Sequence, residues 1–444
     1  MKILMVTCSA LPLHNCGVSH VVHHITKELI EKGHEVKVFT LNTDPLRGHK
    51  SIQTVQYEGY EVRSLNLHGV RDDYFSHFRE VDYNNIESEG GLQAYVQELR
   101  PDIVHFHSLQ GIGANAIHLV KNMGYKTVLT MHDWWWLCPN FFMADCQFEP
   151  CGQRVMKSER CIQCIQKVQS MPGAKKALKT FEAESFFKKR QAYLMTVLTQ
   201  DVDQLLVVSQ YLESYIRDNI AQLPQLLVNA NGVESPSQIV EQKRDSKVKF
   251  GFLGGKHTAK GYDLLIETFS TLPIGNWELH IYGTPKMSGS AIKKVIRYLK
   301  GQGIKGLYYK LQSLKGAKVK THPSIFYHET FELEQKEQVY ASIDVLLSLS
   351  KVKESSSLVV REALIRQIPI ITTPSGGPQE VVHHGKNGWI LTKGTKDELG
   401  EVVAHTLEKI YYDLMKEWMI LHPYTYTYKQ QVEALIGYYK AVQD

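Results

Sequence analysis

The chain has 444 residues, enough for two or three domains with a sizeable core. It is 43% hydrophobic and 22% charged, which excludes a disordered or collagen-like polymer. Its net charge of +5 is too mild to mark a nucleic-acid binder; it suits an anionic small molecule or an anionic membrane surface.

No apolar run approaches the ~18 residues of a spanning helix. The apolar opening, residues 1–6, is too short for a signal peptide and is interrupted by Thr7-Cys8-Ser9. A cytoplasmic protein is expected, with peripheral contact at the inner face of a membrane left open. In that compartment the seven cysteines are expected to be reduced or metal-bound rather than paired.

Residues 2–7 predict a strand. A loop over 9–17 enters a helix whose apolar positions Val18, Val21, Val22, Ile25, Leu29 and Ile30 share one face. Gly33-His34 ends it, with glycine where helix C-termini favour it. Residues 35–41 (EVKVFTL) predict a second strand. Residues 51–100 show little periodicity and are expected to form a variable insertion, including an aromatic and His-rich stretch over 74–83. Residues 101–107 and 124–131 predict two further strands, ending near His107 and His132. The carboxyl ends of parallel strands line the ligand crevice of an α/β sheet. Both histidines are therefore candidate site residues, whereas His105 belongs on the opposite, packed face.

Trp134-Trp135-Trp136 precedes five of the seven cysteines, all within residues 138–164. Cys161-x-x-Cys164 is a metal-knuckle spacing, and two upstream thiolates would complete a tetrahedral zinc site. Cys146 and Cys151 are the expected partners, with Cys138 as the substitute; the alternative is a set of partly buried thiols acting as small hydrophobes. Residues 172–198 are basic and amphipathic, with Lys175, Lys176, Lys179, Lys188, Lys189 and Arg190 among aromatics. They fit either an anionic membrane or lipid-diphosphate surface or an ordinary helix with a solvated basic face. Residues 205–209 and 226–231 predict the last strands of this half. The polar stretch 236–247 reads as a linker.

The α/β pattern then restarts. Residues 249–253 predict a strand, followed by Gly254-Gly255-Lys256-His257, Lys260-Gly261 and a helix over 262–269. Residues 277–283 predict another strand, ending at Tyr282-Gly283. A Lys-rich insertion is expected over 286–320, and strands over 325–332 and 340–348. A polar loop with Glu354 and Ser355-Ser356-Ser357 enters a helix carrying Glu362, and a β-branched run over 368–373 reaches the turn Ser375-Gly376-Gly377. Helices over 397–420 and 432–442 close the chain. A carboxylate can accept two hydrogen bonds from a vicinal diol, and a helix N-terminus attracts phosphate. Glu354 and Glu362, eight residues apart around a helix start, therefore suit the two diol-bearing ends of a nucleotide sugar.

The segment from Glu354 to Gly388 resembles the donor-binding region of the family 4 retaining glycosyltransferases. The matching positions are Glu354, Glu362-Ala363, Pro369-Ile370-Ile371, Gly376-Gly377, Glu380-Val381-Val382 and Asn387-Gly388. The resemblance implies a GT-B fold: an acceptor-binding Rossmann-like domain over 1–235, a nucleotide-sugar domain over 248–420, and a last helix over 421–444 crossing back to the first domain. The insertion over 51–100 would then lie on the acceptor side. It implies transfer of a sugar, with retention, from a UDP- or GDP-sugar to a glycan, lipid-linked or small-molecule acceptor, with no metal needed for catalysis. His132, Glu354 and Lys260 would be catalytic. Gly17, Gly254, Lys256, Lys260, Tyr282, Gly283, Glu354, Ser355, Ser356, Ser357, Leu358 and Glu362 would bind the donor, and His107 would stand on the acceptor side. Three departures stand out: the serine run replaces the family's Gly-Phe-Gly, Cys16-Gly17 replaces a double glycine, and Gly255 replaces an arginine that pairs with the donor diphosphate. A sugar-nucleotide epimerase, a phosphorylase and a non-catalytic partner subunit remain as alternatives.

Overall fold

The computed structural model describes residues 1–44, 46–70, 79–145, 148–169, 180–236, 247–284 and 322–443. The expected insertion over 286–320, the basic residues at 175, 176 and 179, and Cys146 lie outside that set.

Two twisted sheets organise the chain. The first has eight strands in the order β3-β4-β2-β1-β5-β6-β7-β8. In it β1 (Lys2–Val6) runs parallel to both β2 (Glu35–Asn42) and β5 (Ile103–Phe106). Strands β6 (Lys126–Met131), β7 (Gln204–Val207) and β8 (Leu226–Val228) extend it on one side. The second has six, in the order β11-β10-β9-β12-β13-β14. Here β9 (Val248–Phe252) is flanked by β10 (Trp277–Thr284) and β12 (Val345–Ser348), all parallel. β13 (Ile370–Thr372) and β14 (Gly388–Ile390) form one edge and β11 (Ile325–Glu329) the other. Both sheets are doubly wound, and strand order reverses at β1/β5 in the first and at β9/β12 in the second. The central strands are buried on both faces, hence their continuous apolar runs, such as ILMV in β1 and VLL in β12. Separate hydrophobic clusters flank each sheet.

Residues 51–100 differ from expectation. β3 (Ile52–Tyr57) and β4 (Tyr60–Asn66) form an antiparallel hairpin through Glu58-Gly59, and β4 adds to the first sheet beside β2. Helix α2 (Glu89–Leu99) follows, burying Leu92, Tyr95, Val96 and Leu99. Residues 52–66 are part of the sheet rather than an insertion on it, while 71–78, which include the first half of the expected aromatic stretch, lie outside the described residues. A second difference concerns residue 340: Tyr340 belongs to a short helix, α8 (Lys336–Ala341), and the strand starts only at Val345.

Helix α12 (Tyr428–Gln443), at the end of the chain, packs on α1 (Gly17–Glu31) of the first domain. The Tyr439 hydroxyl lies 2.6 Å from His105 Nδ1, and both side chains are buried. His105 is thus packed under the last helix, but the expected opposite facing fails: residues two apart in a strand share a face, and its ring centroid lies 4.1 Å from that of His107. Among the described residues no helix is long and apolar enough to cross a membrane.

Candidate active site

The loops after the switch-point strands of both domains face one another across a cleft of about 590 Å³. From the first domain come Gly17, at the start of α1, and the segment His132-Asp133-Trp134 that follows β6. From the second come Gly254, His257 and Lys260 after β9, and residues 352–359 after β12. The last group ends in the first turn of α9 (Leu358–Ile365), whose N-cap is Ser357.

Lys260 Nζ donates to Glu354 Oε1 at 2.7 Å. The ammonium is half exposed while the carboxylate is largely covered, 49% against 16%. A pair so open to water contributes about 1 kcal/mol or less, so an incoming anionic group could draw the lysine away at little cost. Glu354 itself is pinned by its backbone. Its N–H donates to Ser375 O at 2.8 Å, and its carbonyl accepts from Gly377 N at 2.9 Å. The glycine turn makes this approach possible. Gly376 has φ +103°, and a Cβ there would stand 2.1 Å from the Tyr211 ring.

The two domains touch at the cleft floor. Trp134 Nε1 donates to Lys353 O at 2.8 Å, and Ser355 Oγ donates to the carbonyl of His132. The serine that replaces a family glycine thereby holds the two halves of the site together. His132 is buried, and its Nε2 lies 2.8 Å from Nδ1 of His107. Burial pushes its pKa down to about 4, so the imidazole is neutral at pH 7. His105 is lowered in the same way to about 3, and His107 well below its usual value.

Gly17, His132, Gly254, Lys260, Glu354, Ser355, Ser356, Ser357 and Leu358 therefore share one cleft. The other expected residues stand elsewhere. His107 lies behind His132 rather than on the cleft wall. Lys256 turns away, its Nζ 4.5 Å above the Tyr327 ring. It cannot replace the missing arginine from there. The structure also explains the glycine at 255. Its φ is +58°, and a Cβ would come within 2.8 Å of the Gly283 carbonyl, so the loops after β9 and β10 meet backbone to backbone. Tyr282 borders a second pocket of about 370 Å³ in the C-terminal domain, with His328 and Phe331. Its ring stacks on His328 at 4.4 Å. Glu362 is turned from the cleft: it accepts from the Tyr340 hydroxyl at 2.8 Å and from Lys336 Nζ at 3.3 Å. Lys336 also pairs with Glu234 at the end of the first domain. Two of the roughly four acceptor positions of Glu362 remain for a ligand.

Cys138, Cys151, Cys161 and Cys164 border a separate pocket of the first domain. The substitute Cys138, rather than Cys146, is thus the fourth described member. On α5 (Thr180–Gln200), Lys188 pairs with Glu184 and Lys189 is exposed, but Arg190 is buried and belongs to no basic face.

Of the cleft residues that sequence reasoning missed, two polar ones stand out. Lys353 lines the cleft beside Glu354, its Nζ 3.2 Å from the Tyr211 hydroxyl. Asn231, after β8, has a buried Oδ1 with no hydrogen-bond partner. Its place at a strand's carboxyl end was the available signal.

The sequence profile named Glycosyltransferase Family 4 matches residues 16–234, and the profile named Glycosyl transferases group 1 matches residues 236–417. The chain belongs to the family 4 glycosyltransferases. Solved relatives agree in fold. A sucrose-phosphate synthase from Thermosynechococcus elongatus superposes with a TM-score of 0.60 at 14% identity, over 100% of this chain and 96% of that one. HepE from Anabaena, solved with UDP and glucose, gives 0.58 at 14% identity, over 99% and 100%. An uncharacterized 42.6 kDa protein of the cps region of Klebsiella pneumoniae is 25% identical over 146 residues, which span 32% of this chain and 39% of that protein. This glycosyltransferase thus has the GT-B architecture, with its cleft at the facing switch points.

Proposed function

We propose that this glycosyltransferase moves a hexose, with retention of anomeric configuration, from a nucleoside-diphosphate sugar to a glycan or lipid-linked acceptor. The observation that carries the reading is the Lys260–Glu354 pair in the interdomain cleft, beside the N-terminus of α9. The donor diphosphate would take Lys260 and the free N–H groups of that helix end. Glu354, released from the lysine, would accept from the hexose hydroxyls, with neutral His132 as a hydrogen-bonding partner across the cleft. The pocket at Tyr282 suits the base, and Glu362 the ribose diol. UDP is the favoured nucleotide, because HepE binds UDP together with glucose in the same fold.

In the step itself the bond between the anomeric carbon and the phosphate oxygen breaks. The acceptor oxygen bonds to that carbon, and the acceptor proton passes to the leaving phosphate. Electrostatic stabilisation of the departing diphosphate is the main catalytic term. The cleft supplies it from Lys260 and helix dipoles, so no catalytic metal is required.

Product analysis by NMR tests this. With a nucleotide sugar and an acceptor extract, a new glycoside of the donor's anomeric configuration should form, and turnover should persist in EDTA without rescue by magnesium. An inverted product would contradict the retaining step. Conversion of the sugar nucleotide without acceptor would indicate an epimerase, and a strict need for inorganic phosphate a phosphorylase. Immediate loss of activity in EDTA, restored by magnesium, would contradict the metal-free mechanism.

A further inference from the structure

The proposed transfer uses none of the five cysteines between 138 and 164. Four of them, Cys138, Cys151, Cys161 and Cys164, line one pocket of about 260 Å³. They reach it from three stretches of chain. Cys138 follows the tryptophan run, and Cys151 follows the antiparallel bridge between Ala144 and Pro150. Cys161 and Cys164 lie one turn apart on α4 (Ser158–Gln169), a spacing that puts both on one face. Cys138 and Cys161 are buried, Cys151 and Cys164 half-buried.

Two buried amides point at the sulfurs. Asn140 Nδ2 donates to Cys164 Sγ at 3.1 Å, and Gln153 Nε2 lies 3.8 Å from Cys151 Sγ. Such donors orient metal-bound ligands from outside.

Arg190 supplies an independent observation. It is 2% exposed, and its Nη2 donates to the carbonyl of Trp135 while its Nη1 has no hydrogen-bond partner. Among the described residues no carboxylate lies within ion-pair distance of it. A buried cation is costly without counter-charge, and beyond ion-pair distance Asp82 and Asp133 supply part of it. Cys138 is foremost among the groups that would stabilise the guanidinium if ionised. Four thiols add nothing to this; a divalent ion held by four thiolates would add a net charge of −2.

We propose that Cys138, Cys151, Cys161 and Cys164 form a structural zinc site, whose negative charge is balanced by the buried guanidinium of Arg190. Zinc suits the set because it takes four sulfur ligands tetrahedrally with no redox change. Among the described residues no three His, Cys, Asp or Glu side chains are already drawn together in ligating geometry. The thiols surround the pocket, and binding contracts it: one Zn²⁺ displaces four thiol protons to solvent. The ion would tie the loop behind Trp134, a cleft residue, to α4.

Metal analysis of the full chain, purified without chelator, tests this. The expected result is about one zinc per chain, released when a thiol-modifying reagent is added and read with a colorimetric chelator. Cys146→Ser should keep its zinc, while Cys161→Ser and Cys138→Ser should lose more than half. Cobalt in place of zinc should give sulfur-to-metal charge-transfer absorption. If the serine variants fail to fold, wild-type protein and Cys146→Ser still decide. Wild-type protein without zinc, iron with inorganic sulfide in its place, or loss of zinc from Cys146→Ser would each overturn the assignment.

Discussion

At the scale of single residues, the proposed function separates groups that would hold the nucleotide from groups that would meet the sugar. In the proposed function Lys260 meets the donor diphosphate, so Lys260→Ala should weaken binding of a bare nucleoside diphosphate. Loss of one charge-assisted contact is worth about 1.5–3 kcal/mol, or roughly 10- to 100-fold. Glu354→Gln keeps the shape of the side chain and removes only its charge. It should lower turnover at least about tenfold, one such contact being worth about 1.5 kcal/mol or more, and leave bare nucleotide affinity nearly unchanged. Isothermal titration set beside initial rates checks both. Equal losses in binding and turnover for Glu354→Gln would move it off the sugar.

The buried histidines carry a pH dependence of stability. Burial lowers the folded-state pKa of His132 to about 4 and of His105 to about 3, and also lowers that of His107. In the unfolded chain each returns to about 6.5. Between those values the unfolded state binds more protons, so stability falls as pH drops from about 6.5 toward 4 and is unaffected by these groups above 7. His132 alone accounts for on the order of 3 kcal/mol across that window. Urea unfolding at pH 7.0, 6.0 and 5.5 should show a decline corresponding to uptake of more than one proton. A flat profile would contradict the buried neutral cluster.

At the scale of elements, much of the site was legible because it depends on chain chemistry that repeats along the sequence. The strand–loop–helix around Glu354 was readable from its apolar run, its serine N-cap and the Gly376-Gly377 turn. The hairpin of β3 and β4 was not. Its first strand is half-exposed along its length, Ile52 is exposed at the edge, and the Glu58-Gly59 turn places Glu58 at positive φ, an uncommon choice for a non-glycine residue. Helix α2 could have been found: Leu92, Tyr95, Val96 and Leu99 have the i, i+3, i+4, i+7 spacing of one buried face. Lys256 and Glu362 were legible as residue types but not in direction. Their side chains are set by Tyr327 in one case and by Tyr340 and Lys336 in the other, contacts distant in sequence. The glycine turn gives this scale its prediction. Gly376→Ala places a methyl against Tyr211 at a φ that disfavours alanine. It should cost about 2 kcal/mol or more and displace Glu354, lowering turnover beyond the stability loss. The urea midpoint and the rate at 20 °C check this. A variant with wild-type values for both would show that the turn does not position the carboxylate.

At the scale of the whole molecule, two sheets of the same handed plan are joined so that their switch points face each other. Trp134 and Ser355 bridge the halves at the cleft, the Lys336–Glu234 pair bridges them outside it, and α12 returns the end of the chain to the first domain. A ligand spanning the cleft should stabilise both halves together. The most direct measurement is thermal unfolding of the full chain with a panel of nucleoside diphosphates and their sugars, run beside Lys260→Ala. At about 100 times its dissociation constant, the matching ligand stabilises by about 2.7 kcal/mol. The account expects one nucleotide family to raise the midpoint of a single transition, with the sugar nucleotide at least as effective as the diphosphate and the shift reduced in Lys260→Ala. No shift from any member of the panel, or an undiminished shift in Lys260→Ala, would contradict it.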